Sequence, residues 1–556
     1  MLNLRGRNIL FIPHGREPKG MRLIILFLLS TAIILSASNT KNQPHSVSKG
    51  LNFFKTTITT PSSSNAALIT SACKSTLYPA VCHSTLSGAP FASLQDLFAV
   101  SVKSAKLRAA AARAETHNLG VTPAAINDCL ELLDISLEQL DSVIGSSGEK
   151  TESSAHDIQT WLSASLTNQV TCTDGLEHAR VDQKAKTTVT EQVNLLSQYI
   201  SNALALHAWM NGRVGIGRRL TDGGGFPEWV SEGDRKLLEA SPGDIRAVAV
   251  VAKDGSGTHR SINEAIAFVS LETGGGGRSV IYVKAGTYRE YIKIPTKQRN
   301  VMLMGDGKGE SVIIGSKNAE DGSSTYDSAT VAAMGAGFIA KGLTIINDSG
   351  PNKQQAVALR VGADRSVIYQ CSIQGYQDTL YTLSNRQFYR DCDIYGTVDF
   401  IFGNSAAVFQ NCFIQPRKPA SGQYNSITAQ GRTDPNQNTG ISIQGCRVSG
   451  GATGGAATYL GRPWKQYSRV VFMETEIDGS VSSAGWERWA GNFALSTLYY
   501  GEYGNTGPGA RTSGRVRWPG VHPDMSAAEA SMFTVANFIA GNSWIPATGV
   551  EFNGGL

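Results

Sequence analysis

The sequence predicts an antiparallel bundle of four helices followed by a β-solenoid, on three observations. Long Ala/Leu-rich segments with helical period occupy 95–118, 123–145, 153–178 and 188–210, with short connections between them. Beyond residue 210 the chain turns to short Val/Ile/Phe-rich segments separated by turn residues. Four of these, RSVIYQCSIQG (365–375), RQFYRDCDIYG (386–396), AAVFQNCFIQP (406–416) and GISIQGCRVSG (440–450), align on their cysteines at steps of 21, 20 and 34 residues. A strand-rich repeat of this period is one coil of a solenoid, and the longer step is a coil with an inserted loop. At 556 residues the chain is too long for one ordinary core, so at least two domains are expected.

The elements follow in order. Residues 1–38 read as a leader: from Met21, MRLIILFLLSTAIILSAS is a basic residue, an apolar stretch and then small residues, the layout of a signal peptide. Cleavage is expected near Ala37 or Ser38; an uncleaved signal anchor, with Golgi or membrane retention, is the alternative. The net charge of +5 comes largely from this end, since residues 1–22 carry Arg5, Arg7, Arg16, Lys19 and Arg22 against Glu17. Residues 221–556 balance 30 basic against 30 acidic side chains, which gives nucleic-acid binding no support.

Residues 65–212 hold the bundle, with Pro123 near the second start and Ser154 or Asp157 as a cap for the third helix. Eight cysteines without a CxxC pair fit a secreted, disulfide-bearing chain. Cys73–Cys82 would staple a short helical hairpin and Cys129–Cys172 would join two bundle helices; buried thiols are the alternative. Residues 213–240 are a Gly-rich linker containing the dibasic pair Arg218-Arg219, either a processing site or merely solvated. The solenoid takes 241–556. Consecutive coils bring Cys371, Cys392, Cys412 and Cys446 close enough for a disulfide, with stacked free thiols as the alternative. Asn347-Asp348-Ser349 is the one N-glycosylation sequon beyond the leader.

The period also organises polar residues. Gln355, Gln377 and Asp399 are separated by 22 residues each, which would stack them across three coils with Asp378 alongside. A structural amide ladder accounts for such a stack equally well. Two carboxylates one coil apart in apolar surroundings should titrate apart, as a nucleophile and a general acid require. The glutamine amides would be donors for an oxyanion. In LGRPW (460–464), Arg462 would keep a carboxylate ionised and Trp464 would stack on a sugar ring. Residues 221–556 contain only His259 and His522 and no G-x-S-x-G elbow, against a Ser-His-Asp hydrolase. No His/Cys/carboxylate cluster has zinc spacing, and GDGKGES (305–311) lacks the G-K-[ST] ending of a phosphate loop, so neither a metal nor another cofactor is expected.

GTYRE (286–290), QAVALR (355–360), YQDTLY (376–381), GTVDFIFG (396–403) and LGRPW occur in the order found in plant pectin methylesterases, which the chain resembles over most of its length. FPEWVSEGDRKLL (226–238) is similar to that family's mature start, and residues 65–212, with LTNQVTC (166–172), resemble the pectin methylesterase inhibitor domain. The resemblance implies a mainly β protein: a right-handed parallel β-helix of the pectin lyase type behind an all-α four-helix pro-region. It implies hydrolysis of methyl esters of homogalacturonan (pectin) in the cell wall, by a secreted, monomeric enzyme without a cofactor. Carried over by motif, Asp399 is the nucleophile and Asp378 the proton donor. Gln377 and Gln355 stabilise the oxyanion, and Thr325, Gln355, Arg462 and Trp464 contact substrate. The family disulfide falls on Cys392–Cys412. The pro-region would silence the enzyme until a protease cuts at Arg218-Arg219, although Thr221 stands where the family has an apolar residue; separate pectinesterase inhibitors are further partners. A polygalacturonase or pectate lyase is the nearest rival enzyme, and a catalytically silent pectin-binding or esterase-inhibiting protein the rival of another class.

Overall fold

The computed structural model describes residues 63–556 apart from 121–122, 149–150, 178, 215–246, 273–276 and 452. The leader, most of the linker and Arg218-Arg219 lie outside the described residues.

Helices α1 (Ser63–Cys73) and α2 (Pro79–Leu86) form the hairpin that the Cys73–Cys82 disulfide closes. Then come α3 (Leu94–Asn118), α4 (Ala124–Ser146), α5 (Glu152–Glu177) and α6 (Gln183–Val214). Their apolar stripes meet in a core that includes Leu97, Phe98, Leu133, Leu140, Leu162, Leu196, Ile200 and Leu204. The Cys129–Cys172 disulfide links α4 to α5. The cap of α5 differs from both candidates: the Ser154 amide bonds the Thr151 hydroxyl, so Thr151 caps, and Asp157 points elsewhere.

From Ala249 onward all paired strands run parallel, in sheets of eleven, eight and seven. Each coil adds one strand to each sheet, so the chain winds a parallel β-helix. Helix α7 (Ile262–Glu272) inserts Ile262, Ala265 and Val269 into the apolar interior beside the first coils. Like residues stack in register, as in Tyr389 on Phe409, whose rings lie 4.4 Å apart. The seven-stranded sheet positions the site. Its strands in chain order are Ile292–Ile294, Val331–Ala333, Leu359–Val361, Leu380–Thr382, Ile401–Gly403, Asn425–Gln430 and Thr458–Gly461.

Two expectations are corrected here. Cys371, Cys392, Cys412 and Cys446 form a buried column of free thiols, so Cys392 and Cys412 are not bonded to each other. In-register stacking points their side chains the same way, and each thiol turns to main-chain carbonyls: Cys392 to Ile368 and Arg390, Cys412 to Tyr389 and Gln410. Asn347 is 1% exposed and its amide donates to the carbonyls of Lys317 and Val357. A glycan needs that nitrogen in solvent, so the sequon is a structural tie.

Candidate active site

The motif GTVDFIFG is bracketed by two obligatory glycines. A Cβ on Gly396 would sit 2.1 Å from the Cβ of Phe400, and one on Gly403, at φ +127°, would sit 2.1 Å from the Thr382 carbonyl oxygen. Between them the chain leaves the eight-stranded sheet, turns, and enters the seven-stranded one. Asp399 makes that turn at φ 53°, and Asp378 makes the equivalent turn one coil earlier at φ 62°. Left-handed backbone is costly for side chains other than Asn and Asp, and strain of this kind gathers at functional sites.

The register revises the expected stack. The Asp378 amide donates to the Val398 carbonyl and Leu380 pairs with Ile401, so Asp378 lies level with Asp399. The Ala356 amide donates to the Gln377 carbonyl, which sets Gln355 level with Gln377. A uniform 22-residue pitch fails because the upper coil is one residue shorter. The carboxylates thus stack on each other, with the two glutamines in a parallel column one residue earlier.

Electrostatics separates the carboxylates. Asp399 is 5% exposed and accepts both arms of Arg462, Nε at 2.8 Å and Nη2 at 2.7 Å. Burial works against the Arg462 charge, but its bonds to Asp399 win and raise its pKa. Asp378 has no such partner: burial first, and the charge of Asp399 second, raise it well above the usual carboxylate range, with Arg462 opposing. Gln355 and Gln377 are half-buried, and their side-chain amides make no hydrogen bond among the described residues. Trp464 is half-buried with its edge toward Phe402 at 5.9 Å, and Thr325 is half-buried beside Ser324.

Sequence reasoning missed two groups. Tyr424 accepts from Arg462 Nη1 at 2.9 Å and Trp489 lies 4.4 Å beneath the guanidinium, so Arg462 is braced on three sides. Neither residue lies in a motif quoted above. The second group is the face of α5 made by Asp157, Thr160, Ser163, Thr167, Thr171 and Asp174, which lies along the loops that lead from the seven-stranded sheet into the eleven-stranded one. Asn404 Nδ2 donates to Thr167, Asn438 Nδ2 to Thr160, Gln437 Nε2 to the Ser163 carbonyl, and Lys465 Nζ to Asp174. Arg386 and Arg365 both bond Asp157. Helix α4 adds Asp128, which accepts from Ser324, and Glu131, which accepts from Lys293. Apolar residues of both parts, including Ile126, Leu132, Cys172, Tyr326, Tyr381 and Phe402, share one buried cluster with Trp464 against it. The polar spacing along α5, three or four residues throughout, was the available signal.

Fold and site together define a β-helical ester hydrolase covered by a helical bundle. Comparison with known proteins gives the particular family. Residues 248–542 match the Pectinesterase family model, and residues 67–206 match that of the plant invertase/pectin methylesterase inhibitor. A probable pectinesterase/pectinesterase inhibitor 35 of Arabidopsis thaliana is 56% identical over 439 residues, 78% of this chain and 81% of the relative. Pectinesterase 2 of Citrus sinensis is 49% identical over 472 residues, 83% and 89% of the two chains. The solved structure of pectin methylesterase from carrot superposes with a TM-score of 0.54 at 53% identity, covering 56% of this chain and 99% of that one. The chain belongs to the pectinesterase family and carries the family's inhibitor-type domain ahead of its β-helix.

Proposed function

We propose that this pectinesterase removes methyl groups from homogalacturonan through a covalent intermediate on Asp399. The observation that carries the reading is the stacked pair of unlike carboxylates, one ion-paired with Arg462 and one without a cation of its own, which burial and the neighbouring Asp399 push well above the usual carboxylate range. A carboxylate oxygen of Asp399 attacks the C6 ester carbonyl, and the Gln377 and Gln355 amides donate to the oxyanion. As the intermediate collapses, the C–O bond to methoxide breaks and Asp378 delivers its proton, releasing methanol. The acyl-enzyme is an anhydride between Asp399 and galacturonate. Asp378, now a base, takes a proton from water, whose oxygen attacks the galacturonyl carbon and regenerates both groups. Arg462 keeps Asp399 ionised and aimed, while Thr325 and Trp464 contact the sugar chain.

In the full chain α4 and α5 occupy the face a polysaccharide needs, so the full chain is silent until the linker is cut at Arg218-Arg219. The bundle keeps the enzyme silent during secretion, and the released enzyme acts in the cell wall. Methanol release from methylated pectin, measured on the full chain and on a 221–556 fragment side by side, tests both points. The fragment should turn over and the full chain should not. A fragment that binds pectin without releasing methanol would refute catalysis, and a full chain as active as the fragment would refute silencing.

A further inference from the structure

Arg462 is held by more than its carboxylate. Nε and Nη2 donate to Asp399, while Nη1 donates to the Tyr424 phenol oxygen at 2.9 Å. Trp489 lies against the guanidinium, 4.4 Å from its carbon to the ring centre. These braces stand on the strands that position Arg462 itself. Tyr424 immediately precedes the strand Asn425–Gln430, and the Arg462 amide donates to the Thr428 carbonyl on that strand at 3.0 Å. Tyr459, on the strand Thr458–Gly461 that leads into Arg462, meets the Tyr424 ring edge-on at 5.5 Å and hydrogen-bonds to Glu487. Glu487, two residues before Trp489, is tied by its amide to the Gly461 carbonyl at 3.0 Å. Tyr424 and Trp489 therefore have fixed places around the cation.

In the resting enzyme two charge-assisted bonds to a buried carboxylate already fix the guanidinium. The need for a brace arises after acylation. An Asp399 oxygen forms its bond to the galacturonyl carbon, the bond to methoxide breaks, and methoxide leaves with the Asp378 proton. The negative charge has then moved from Asp399, now part of a neutral anhydride, to Asp378. Arg462 lies near enough to Asp378 for each to shift the ionisation of the other. A guanidinium free to turn would follow the charge. Paired with Asp378, it would weaken the base that must take a proton from water. It would also leave the Asp399 oxygen that receives the electron pair when water attacks the galacturonyl carbon and the anhydride bond breaks.

We infer that Tyr424 is a positioning residue for the second half of the reaction: together with Trp489, its phenol oxygen holds the Arg462 guanidinium at Asp399 while that carboxylate is acylated, which leaves Asp378 free to act as base. This role presupposes the esterase reading above. A phenol suits it because a neutral acceptor keeps its bond to Arg462 in both charge states of the site. Burial keeps Tyr424 neutral by raising its pKa. A carboxylate in its place would compete with Asp399 for the cation. Methanol leaves before the brace is needed, so kcat/KM is set without Tyr424, whereas kcat includes the hydrolysis of the acyl-enzyme.

The test uses the 221–556 fragment; the carrot structure, 99% covered by this chain's β-helix, is a relative that stands without a bundle. Tyr424→Phe removes the acceptor and keeps the half-buried ring that meets Tyr459, so the melting temperature should stay close to that of the parent. Steady-state methanol release from methylated pectin should show kcat lowered about tenfold and KM lowered by a similar factor, with kcat/KM within about twofold of the parent. Rapid-quench measurements on the variant should find a burst of about one equivalent of methanol per enzyme, the mark of an accumulating acyl-enzyme. A fall in kcat/KM as large as the fall in kcat, or a kcat within about twofold of the parent, would overturn the inference. An unaltered fragment that releases no methanol would sink the esterase reading instead.

Discussion

Asp128 should make docking of the bundle pH-dependent. It accepts from the Ser324 hydroxyl at 2.6 Å. Burial pushes its carboxyl up from 3.8 to about 6; Ser324 and Arg360 oppose the rise, and Asp327 and Glu131 add to it. On an undocked bundle the same carboxyl faces water and titrates near the ordinary Asp value. Docking therefore takes up a proton. Its contribution is complete below about pH 4 and is lost as the pH climbs to about 6. The shift of about two pKa units corresponds to at most about 3 kcal/mol, and to about 1–2 kcal/mol once water at the part-exposed carboxyl is allowed for. The assay uses a chain cut in the linker but not separated, with methanol release expressed as a fraction of that of the isolated 221–556 fragment at each pH. The fraction should rise about tenfold between pH 4 and 6. Asp128→Asn keeps an acceptor for Ser324 and has no proton to lose, so its fraction should stay low and flat. The same rise in that variant would refute the assignment.

Three further outcomes are expected. Asp399→Asn in the fragment should cut methanol release by about 10³-fold or more, and Asp378→Asn by about 10²–10⁴-fold, with melting temperatures close to the parent; normal turnover in either would reassign that residue. Asp157→Ala removes one partner of Arg386 and the bonds of Arg365 but leaves Asp364 on Arg386, so docking should weaken by about 1.5–3 kcal/mol, read as leakage of methanol release in the cut chain. Mass spectrometry of secreted protein should find Asn347 bare, and Asn347→Ala should destabilise the β-helix by about 1–3 kcal/mol, because two main-chain carbonyls lose their donor.

The solenoid was legible because its period is written in side chains that touch their own copies one coil away. The cysteine steps of 21 and 20 residues are coil lengths, and the thiols do form a column. Which polar residues sit level was not legible, since it depends on a single residue of slack between Ala356 and Leu359 that leaves no mark in composition. The bundle disulfides followed from helix pairing, whereas the family's Cys392–Cys412 pairing did not hold once each thiol found a carbonyl of its own. The sequon at Asn347 misled because a tripeptide carries no information on burial. Docking was hidden for a different reason: Thr160, Ser163, Thr167 and Thr171 read as an ordinary solvated face until a partner surface is known.

That polar face also decides how the cover leaves. An interface built chiefly from Leu and Phe would be permanent, but α5 meets the loops beside the sheet through hydroxyls, amides and ion pairs, and only part of the contact is apolar. Hydrogen bonds of this kind contribute about 0.5–1.5 kcal/mol each, so the bundle is held with moderate strength. While the linker is whole, the bundle sees the sheet at an effective concentration on the order of millimolar. Once it is cut, dilution to micromolar lowers occupancy by a factor equivalent to about 4 kcal/mol. A micromolar intrinsic affinity is therefore sufficient to silence the intact chain and weak enough to release the cut one. Neutralising Lys293 or Lys465 loosens the bundle further, because Glu131 or Asp174 then loses the cation that it meets across the interface.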